Sequence, residues 1–413
     1  MLSTSIRNKA AIFLAGMLLL HVTVMWQEWW AIPIGFPDFS IFYTAGKILS
    51  AGDGVRLYTN DVQVPVQQSF AAQGVAKRGS ILPFNHPPFE ALLFVPLAVL
   101  TYMQAYWAWF VVNLAVLAVI CVVLRRNLPN LAPAPLWLWF LAAVGFLPNF
   151  FSLMQGQDSL AVLLAYTLAF AAWNRRSEFL CGAWLAFGLC KYHLIVPFMV
   201  AFAIRRRWRV IAGFLVVAVV LGTISVAVVG WDGLRHYPSF VWWWEHTSTF
   251  SWTLQHQNTP NLRGMISSVL PGNGESLAAK TVLILASLSL LTIADFLWPA
   301  TEHATSACRQ MAFALNLLMT LLVSYHSYVQ DLSLLFLVML LVLDVLLAPS
   351  TVSAAQRKVL LTCMAILWCS PVYLVLILIF GKMWILTLVL LAFFGALVAA
   401  LQSSKPARLA GTT

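Results

Sequence analysis

Charged residues are scarce in this sequence. Asp, Glu, Lys and Arg make up only 9% of the 413 residues, while apolar residues make up 61%. A soluble protein carries roughly a quarter charged residues, so this composition excludes a soluble enzyme and a nucleic-acid-binding protein. Many apolar runs are close to the ~20 residues with which a helix crosses about 30 Å of hydrocarbon. The sequence therefore predicts an all-α, polytopic membrane protein.

Acidic residues are few, and paired cysteines are absent. The chain has 14 acidic and 24 basic residues, a net charge of +10. The basic residues cluster between apolar runs, as the positive-inside rule predicts. The six cysteines lie mostly inside apolar runs and form no Cys-x-x-Cys pair, which favours small core residues over a disulfide framework. The chain also lacks an Asp-x-Asp triplet that could hold a divalent ion on a diphosphate. We therefore expect no metal and no other cofactor.

Twelve apolar runs are predicted to span the membrane. An even number of spans places both termini in the cytoplasm, and the basic tail at Lys405 and Arg408 agrees with this orientation. We treat residues 1–413 as a single integral membrane domain. The predicted spans are residues 10–26, 87–100, 103–124, 136–150, 158–173, 178–204, 208–230, 277–298, 310–324, 331–347, 359–379 and 384–401.

The topology of the middle of the chain has two solutions. Strict alternation of twelve spans places Arg125 and Arg126 outside, against the positive-inside rule. Arg125 and Arg126 would lie in the cytoplasm if the run 87–100 were re-entrant and did not cross the membrane. The total would stay even if the run 178–204, which Lys191 interrupts, were a short hairpin. The run 178–204 would otherwise be one kinked helix.

Two long polar stretches are expected outside the cytoplasm. They are residues 31–86, which follow the first span, and residues 231–276. The second stretch contains Trp242–Trp244, most simply explained as an anchor in the membrane interface.

Asp38 is the most distinctive ionisable residue, because it follows the first span in the first outer stretch. With Pro37, it is well placed to begin a helix along the membrane surface, where an N-cap aspartate has a purely structural use. A carboxylate at that position could alternatively act as a general base. Ionisable groups in apolar surroundings are costly and are therefore functional candidates by default.

Several short polar and aromatic segments follow one another between residues 10 and 345. In chain order they are Asp38-Phe39-x-x-Phe42-Tyr43-x-Ala45-Gly46, Asn85-His86-Pro87-Pro88, Gln155-Gly156-Gln157-Asp158, Lys191, Gln257-Asn258, and Ser324-Tyr325-His326-Ser327-Tyr328 with Asp331. Together these segments resemble those of the glycosyltransferase family 87 membrane enzymes. His86 stands where that family often has Tyr, and Asp158 where it has Asn.

The resemblance implies a GT-C fold and inverting transfer of a hexose, mannose above all, from a polyprenyl-phosphate carrier. Transfer would take place on the extracytoplasmic face of the cytoplasmic (inner) membrane, to a glycolipid or glycan acceptor. Such a donor already has a good leaving group, so the reaction needs one base and donors that hold the departing phosphate. Asp38 is the expected base. Residues expected to bind donor phosphate or sugar are Lys191, His326, Gln155, Gln157, Tyr43, His86, His256, Asn258 and Arg263.

Structural explanations compete for some of these residues. Lys191 could snorkel from a broken helix, and His326 could bond between helices. For the whole chain, a twelve-helix secondary transporter is an alternative, although the two halves show no matching broken helices. A polysaccharide polymerase or ligase that uses a lipid carrier is another. Membrane lipids are expected partners under each reading, and nucleic acid is not.

Overall fold

The computed structural model describes residues 4–246, 256–270, 274, 276–298, 305–348 and 352–403. These residues form helices and connecting turns, with no β-strand among them. The α-helices, numbered α1 to α18 in chain order, are Thr4–Gln27, Phe39–Ser50, Asn60–Arg78, Pro88–Ala91, Tyr102–Asn127, Leu136–Val144, Leu147–Gln155, Ser159–Asn174, Glu178–Ala186, Tyr192–Ile204, Trp208–His246, Leu262–Val269, Leu277–Leu297, Ser306–Val323, Leu334–Leu347, Ala354–Trp368, Ser370–Leu374 and Leu386–Ser403.

Shorter helical turns connect these helices. They are the 3-10 segments Trp29–Ala31, Gly54–Arg56, Leu92–Val99, Phe187–Lys191, His256–Asn258, Val329–Ser333 and Met383–Ile385, and the π-helical segment Val375–Phe380.

The all-helical, polytopic prediction is confirmed, but the count of twelve spans is not. Among the described residues, eight helices are long and apolar enough to cross a membrane, or ten if each of two bent pairs is one span. The bent pairs are α6 with α7, at 68°, and the helix Ala354–Trp368 with Ser370–Phe380, at 61°. Two predicted spans correspond to apolar helices that fall short of a span, Pro88–Val99 and Ser159–Asn174. Hydropathy locates an apolar run but does not show where it bends or ends.

The uncertain run 178–204 forms one 27-residue candidate span, not a hairpin. Its two halves, α9 and α10, are joined by the 3-10 turn Phe187–Lys191. A break of this kind frees backbone groups, and such breaks are tolerated in spans where they are buried in protein or line a cavity. It places Lys191 inside the protein.

The first polar stretch packs against the helical bundle. Phe39, Phe42, Leu57 and Phe84 join Tyr106 of α5 in one buried apolar cluster. Helix α2 is buried along most of its length, whereas the sequence suggested a surface helix. Gly46 permits this packing, because a Cβ at that position would lie 2.4 Å from the carbonyl oxygen of Phe94.

The second polar stretch begins as a helix. Helix α11 continues past a break at Gly230, which has φ +69°, as far as His246. A short turn and α12 follow within residues 256–270. The rest of the predicted loop, residues 247–255, 271–273 and 275, lies outside the described residues.

Helices α9 and α11 approach each other through two glycines. A Cβ on Gly182 would lie 1.8 Å from the carbonyl oxygen of Val210, and one on Gly213 would lie 2.0 Å from that of Phe179. Small residues at such crossings allow close helix packing in a membrane, where van der Waals contact is a main driving force.

We predict that Gly182→Ala destabilises the protein by about 1–3 kcal/mol, because the added methyl group must push two backbones apart. Gly16→Ala is the matched control, since no atom lies within 4 Å of a Cβ at that helical position. Thermal unfolding in detergent should show a lower melting temperature for Gly182→Ala alone. Equal melting temperatures for the two variants would contradict the close packing of α9 and α11.

Candidate active site

A cavity of about 510 Å³ contains the largest group of predicted site residues. The start of α2, the end of α7, the break at Lys191 and the segment 326–331 all contribute to its wall. Six of the ten predicted residues line it: Asp38, His86, Gln155, Lys191, Asn258 and His326. Residues more than 280 positions apart in the sequence therefore meet at one site.

Asp38 occupies the N-cap position of α2, but its side chain makes no capping hydrogen bond. Instead, Gln157 Nε2 donates to Asp38 Oδ2 over 2.6 Å. The Asp38 backbone N–H donates to Gln155 Oε1 over 3.2 Å. The structure thus supplies the helix position expected from the sequence, while the carboxylate faces the cavity and Gln157.

A tight turn at Gly156 brings the two glutamines to Asp38. Gly156 has φ +65° and ends α7, a left-handed conformation that glycine adopts without strain. A Cβ there would also lie 2.7 Å from Phe39 Cβ. The turn between α7 and α8 can therefore approach the start of α2 closely only with glycine at this position.

The surroundings of Asp38 change its acidity. Exclusion of water raises the pKa of Asp38, because burial disfavours the charged carboxylate. The hydrogen bond from Gln157 and the positive charges of Lys191 and Arg78 offset part of that rise. A carboxylate with a raised pKa is a better proton acceptor than an ordinary aspartate, a property expected of a general base.

Lys191 is tied to two carboxylates in the cavity wall. Its Nζ lies 2.6 Å from Asp331 Oδ1 and 3.2 Å from Asp158 Oδ1, and it donates to Ser159 Oγ over 2.7 Å. With a side chain only 6% exposed, Lys191 does not snorkel to a surface. Asp331 also caps the turn Val329–Ser333, because its Oδ2 accepts a hydrogen bond from the Tyr328 backbone N–H.

Gln157 connects this ion-paired group to Asp38. Its Oε1 accepts from Lys191 Nζ over 3.3 Å, while its Nε2 donates to Asp38. The contact from Lys191 fixes the orientation of the amide, so that its donor end points at the carboxylate. Gln157 is buried behind Asp38, where it can position the base.

Arg78 is a cavity residue that the sequence reading did not select. It lines the wall and donates to the carbonyl oxygens of Gly35 and Phe36. Among the described residues, no carboxylate lies within ion-pair distance of its guanidinium. The sequence shows that Arg78 is one of the charged residues of the first outer stretch, but it does not show that this residue lines the cavity.

Two histidines lie near one another at the same cavity. His193 and His326 both line it, with ring centroids 6.2 Å apart, and the His326 ring stacks on Tyr328 at 6.1 Å. Trp244, the last residue of the tryptophan run, also lines the cavity. Trp242 and Trp243 are exposed, as an interface anchor would be.

The other four predicted site residues do not line the cavity. Tyr43 donates its hydroxyl to the Leu100 carbonyl, and Arg263 packs 3.8 Å above the Tyr325 ring. His256 begins a 3-10 turn whose first carbonyl accepts from the Thr259 hydroxyl. Gln157 is the fourth, behind Asp38.

Other features of the sequence have structural uses. Asp295 pairs with Arg205 at 2.6 Å, and Asp344 accepts from the backbone N–H groups of Asn130 and Leu131. The six cysteines, all within the described residues, form no disulfide, and four of them are buried.

A family model described as Glycosyltransferase family 87 matches residues 84–324, more than half of the chain. The match includes His86, Gln155, Gln157 and Lys191, while Asp38 precedes it and His326 follows it. No curated protein matches the chain, and no solved structure matches it.

We predict that Lys191→Met lowers the free energy of unfolding by about 3–5 kcal/mol, since it leaves buried carboxylates without their cation. Arg56→Met is the control, because Arg56 pairs with Asp53 and Asp61 at an exposed position, where ion pairs contribute little. Chemical unfolding in detergent should separate the two variants. A Lys191→Met protein as stable as Arg56→Met would show that the buried pairs do not hold the site together.

Proposed function

The chain belongs to glycosyltransferase family 87 and is a membrane glycosyltransferase, and we propose that it transfers a hexose from a polyprenyl-phosphate carrier with Asp38 as general base. The observation that carries this proposal is the Asp38 carboxylate, which faces the cavity, makes no cap bond and accepts a 2.6 Å hydrogen bond from Gln157. The family membership leaves no reason to prefer a transporter.

The proposed reaction is a single displacement. The acceptor hydroxyl gives its proton to Asp38 as its oxygen forms a bond to the anomeric carbon of the sugar. The bond between that carbon and the phosphate oxygen breaks, and its electron pair leaves with the polyprenyl phosphate. One attack from the side opposite the phosphate inverts the anomeric configuration, so a second catalytic carboxylate is not needed.

The departing phosphate gains a negative charge and needs donors to hold it. Arg78 suits this role because it lines the cavity and its guanidinium has no carboxylate partner among the described residues. A guanidinium can bind phosphate through two parallel hydrogen bonds. His326 and Lys191 also line the cavity, and the charge of Lys191 is shared with Asp158 and Asp331.

Apolar groups at the cavity suit a lipid-linked sugar. Ile377, Met383 and Val329 line it alongside the polar residues, so these side chains can contact the polyprenyl chain. Trp244 offers an aromatic ring on which the apolar face of a hexose can stack. Mannose is the sugar that the family resemblance implies, and we place the reaction on the extracytoplasmic face of the inner membrane.

We predict that Asp38→Asn lowers sugar transfer by about 10²-fold or more, the usual range for loss of a positioned base. Membranes of a deletion strain supply the native acceptor, and radiolabelled polyprenyl-phosphate mannose or glucose supplies the sugar. Asp61→Asn is the matched control, because Asp61 lies in the same outer stretch and pairs with Arg56 at an exposed position.

Normal membrane abundance of Asp38→Asn must accompany the loss of transfer. Unchanged transfer by this variant would overturn the role of Asp38. The donor is tested separately. If the wild-type protein used neither lipid-linked sugar in this assay, although its gene restored the glycosylated product that the deletion strain lacks, the proposed donor would be overturned.

A further inference from the structure

A second group of ionisable side chains, to which the proposed transfer assigns no chemical step, adjoins the cavity. His86 Nδ1 lies 3.0 Å from Glu90 Oε2 and 3.6 Å from Asp158 Oδ2. One ligand atom from each of these three residues lies within 4.8 Å of the others. We propose that His86, Glu90 and Asp158 bind a divalent transition-metal ion.

The charge balance of this group favours a bound cation. Three carboxylates, those of Glu90, Asp158 and Asp331, are buried, and Lys191 is the cation that pairs with the last two. Burial of an excess negative charge is expensive unless a partner, a metal or a proton neutralises it. With His86 neutral, as a metal ligand must be, a divalent ion would balance the two negative charges that Lys191 leaves over, in place of a proton on His86 or Glu90.

Unpartnered oxygens point to a missing ligand. Glu90 is 1% exposed, and its Oε1 has no hydrogen-bond partner. Asp158 is 3% exposed and adjoins the Glu90 carboxyl; its Oδ1 is ion paired with Lys191 and its Oδ2 lies 3.6 Å from His86, but neither oxygen accepts a hydrogen bond of ordinary geometry. Buried polar atoms are normally satisfied, so these oxygens require an explanation.

The donor set and its spacing suit a metal. One imidazole nitrogen with two carboxylate oxygens is typical of Zn²⁺, Mn²⁺ or Fe²⁺, whereas Mg²⁺ and Ca²⁺ favour oxygen alone. Ligand atoms about 2.0–2.2 Å from one ion lie roughly 3.0–3.6 Å apart at octahedral or tetrahedral angles. The two distances from His86 Nδ1 already fall in that range.

The surrounding protein holds the three side chains in place. The backbone carbonyl of His86 accepts a hydrogen bond from the Tyr58 hydroxyl over 2.7 Å. The imidazole ring of His86 packs edge-on to the ring of Phe42. Asp158 stands at the N-cap of α8 without a capping side-chain bond, so its carboxylate remains available. Lys191 contacts its far oxygen, as groups around a metal site commonly do.

This proposal departs from the expectation of a metal-free protein. The sequence contains His86 and Glu90 four positions apart, but Asp158 reaches them only through the fold. The ion would lie beside the cavity that His86 lines. Its binding can be measured without any sugar substrate, so it stands or falls independently of the proposed transfer.

We predict that the full chain in lipid nanodiscs, stripped with EDTA and dialysed against Zn²⁺ or Mn²⁺, retains about one ion per chain by elemental analysis. EDTA should lower its melting temperature, and the metal should restore it. Glu90→Gln should bind less than about a tenth as much metal and lose this response. Asp61→Asn, which removes an exposed carboxylate, should behave like the wild type.

Glu90→Gln also separates the metal from a shared proton, because glutamine resembles protonated glutamate. The metal site would be overturned if the wild-type protein retained neither metal, did not respond to EDTA and had a melting temperature no higher than that of Glu90→Gln. That result would instead assign a proton to the Glu90–Asp158 pair. Should Glu90→Gln not accumulate, the metal content and EDTA response of the wild type decide the question.

Discussion

The ion pairs of Lys191 connect the parts of this membrane protein that the site requires. Lys191 lies at the break between α9 and α10, and its ammonium group contacts Asp331, Asp158 and Ser159. It thereby fastens the broken span to the start of α8 and to the turn before α15. Removal of Lys191, or of the carboxylates it contacts, would leave an unpaired charge buried in apolar surroundings. This costs far more free energy of folding than the loss of an exposed ion pair.

Gln157 extends this network to the proposed base. It accepts from Lys191 and donates to Asp38, so the cation positions the carboxylate through a neutral amide. A direct ion pair with Lys191 would hold Asp38 in its charged form and lower its proton affinity. Through the amide, the pKa of Asp38 stays raised by burial while the carboxylate remains oriented. The turn at Gly156 makes the arrangement possible, because it brings α7 and α8 close to Phe39.

Sequence reasoning found the helical runs and selected Asp38 as a candidate, because hydropathy and scarce charge are local properties. It did not find the bend between α6 and α7, since an apolar run reads the same whether straight or bent. Gln157 was expected to bind donor phosphate or sugar, and nothing in the sequence indicates that its amide nitrogen donates a hydrogen bond to Asp38. Arg78 and Glu90 were missed for a related reason: their roles depend on contacts with distant parts of the chain, and no local spacing encodes those contacts.

The acidic limb of the pH–rate profile tests the role of Asp38 most directly, when it is compared between wild type and Gln157→Leu. A general base must be deprotonated, so transfer falls as the pH drops through its pKa. The hydrogen bond from Gln157 lowers the pKa of Asp38, and its removal should therefore move the acidic limb to higher pH. Loss of a merely structural contact would reduce the rate at every pH without moving the limb. An acidic limb at the same pH in both proteins would contradict Asp38 as the base.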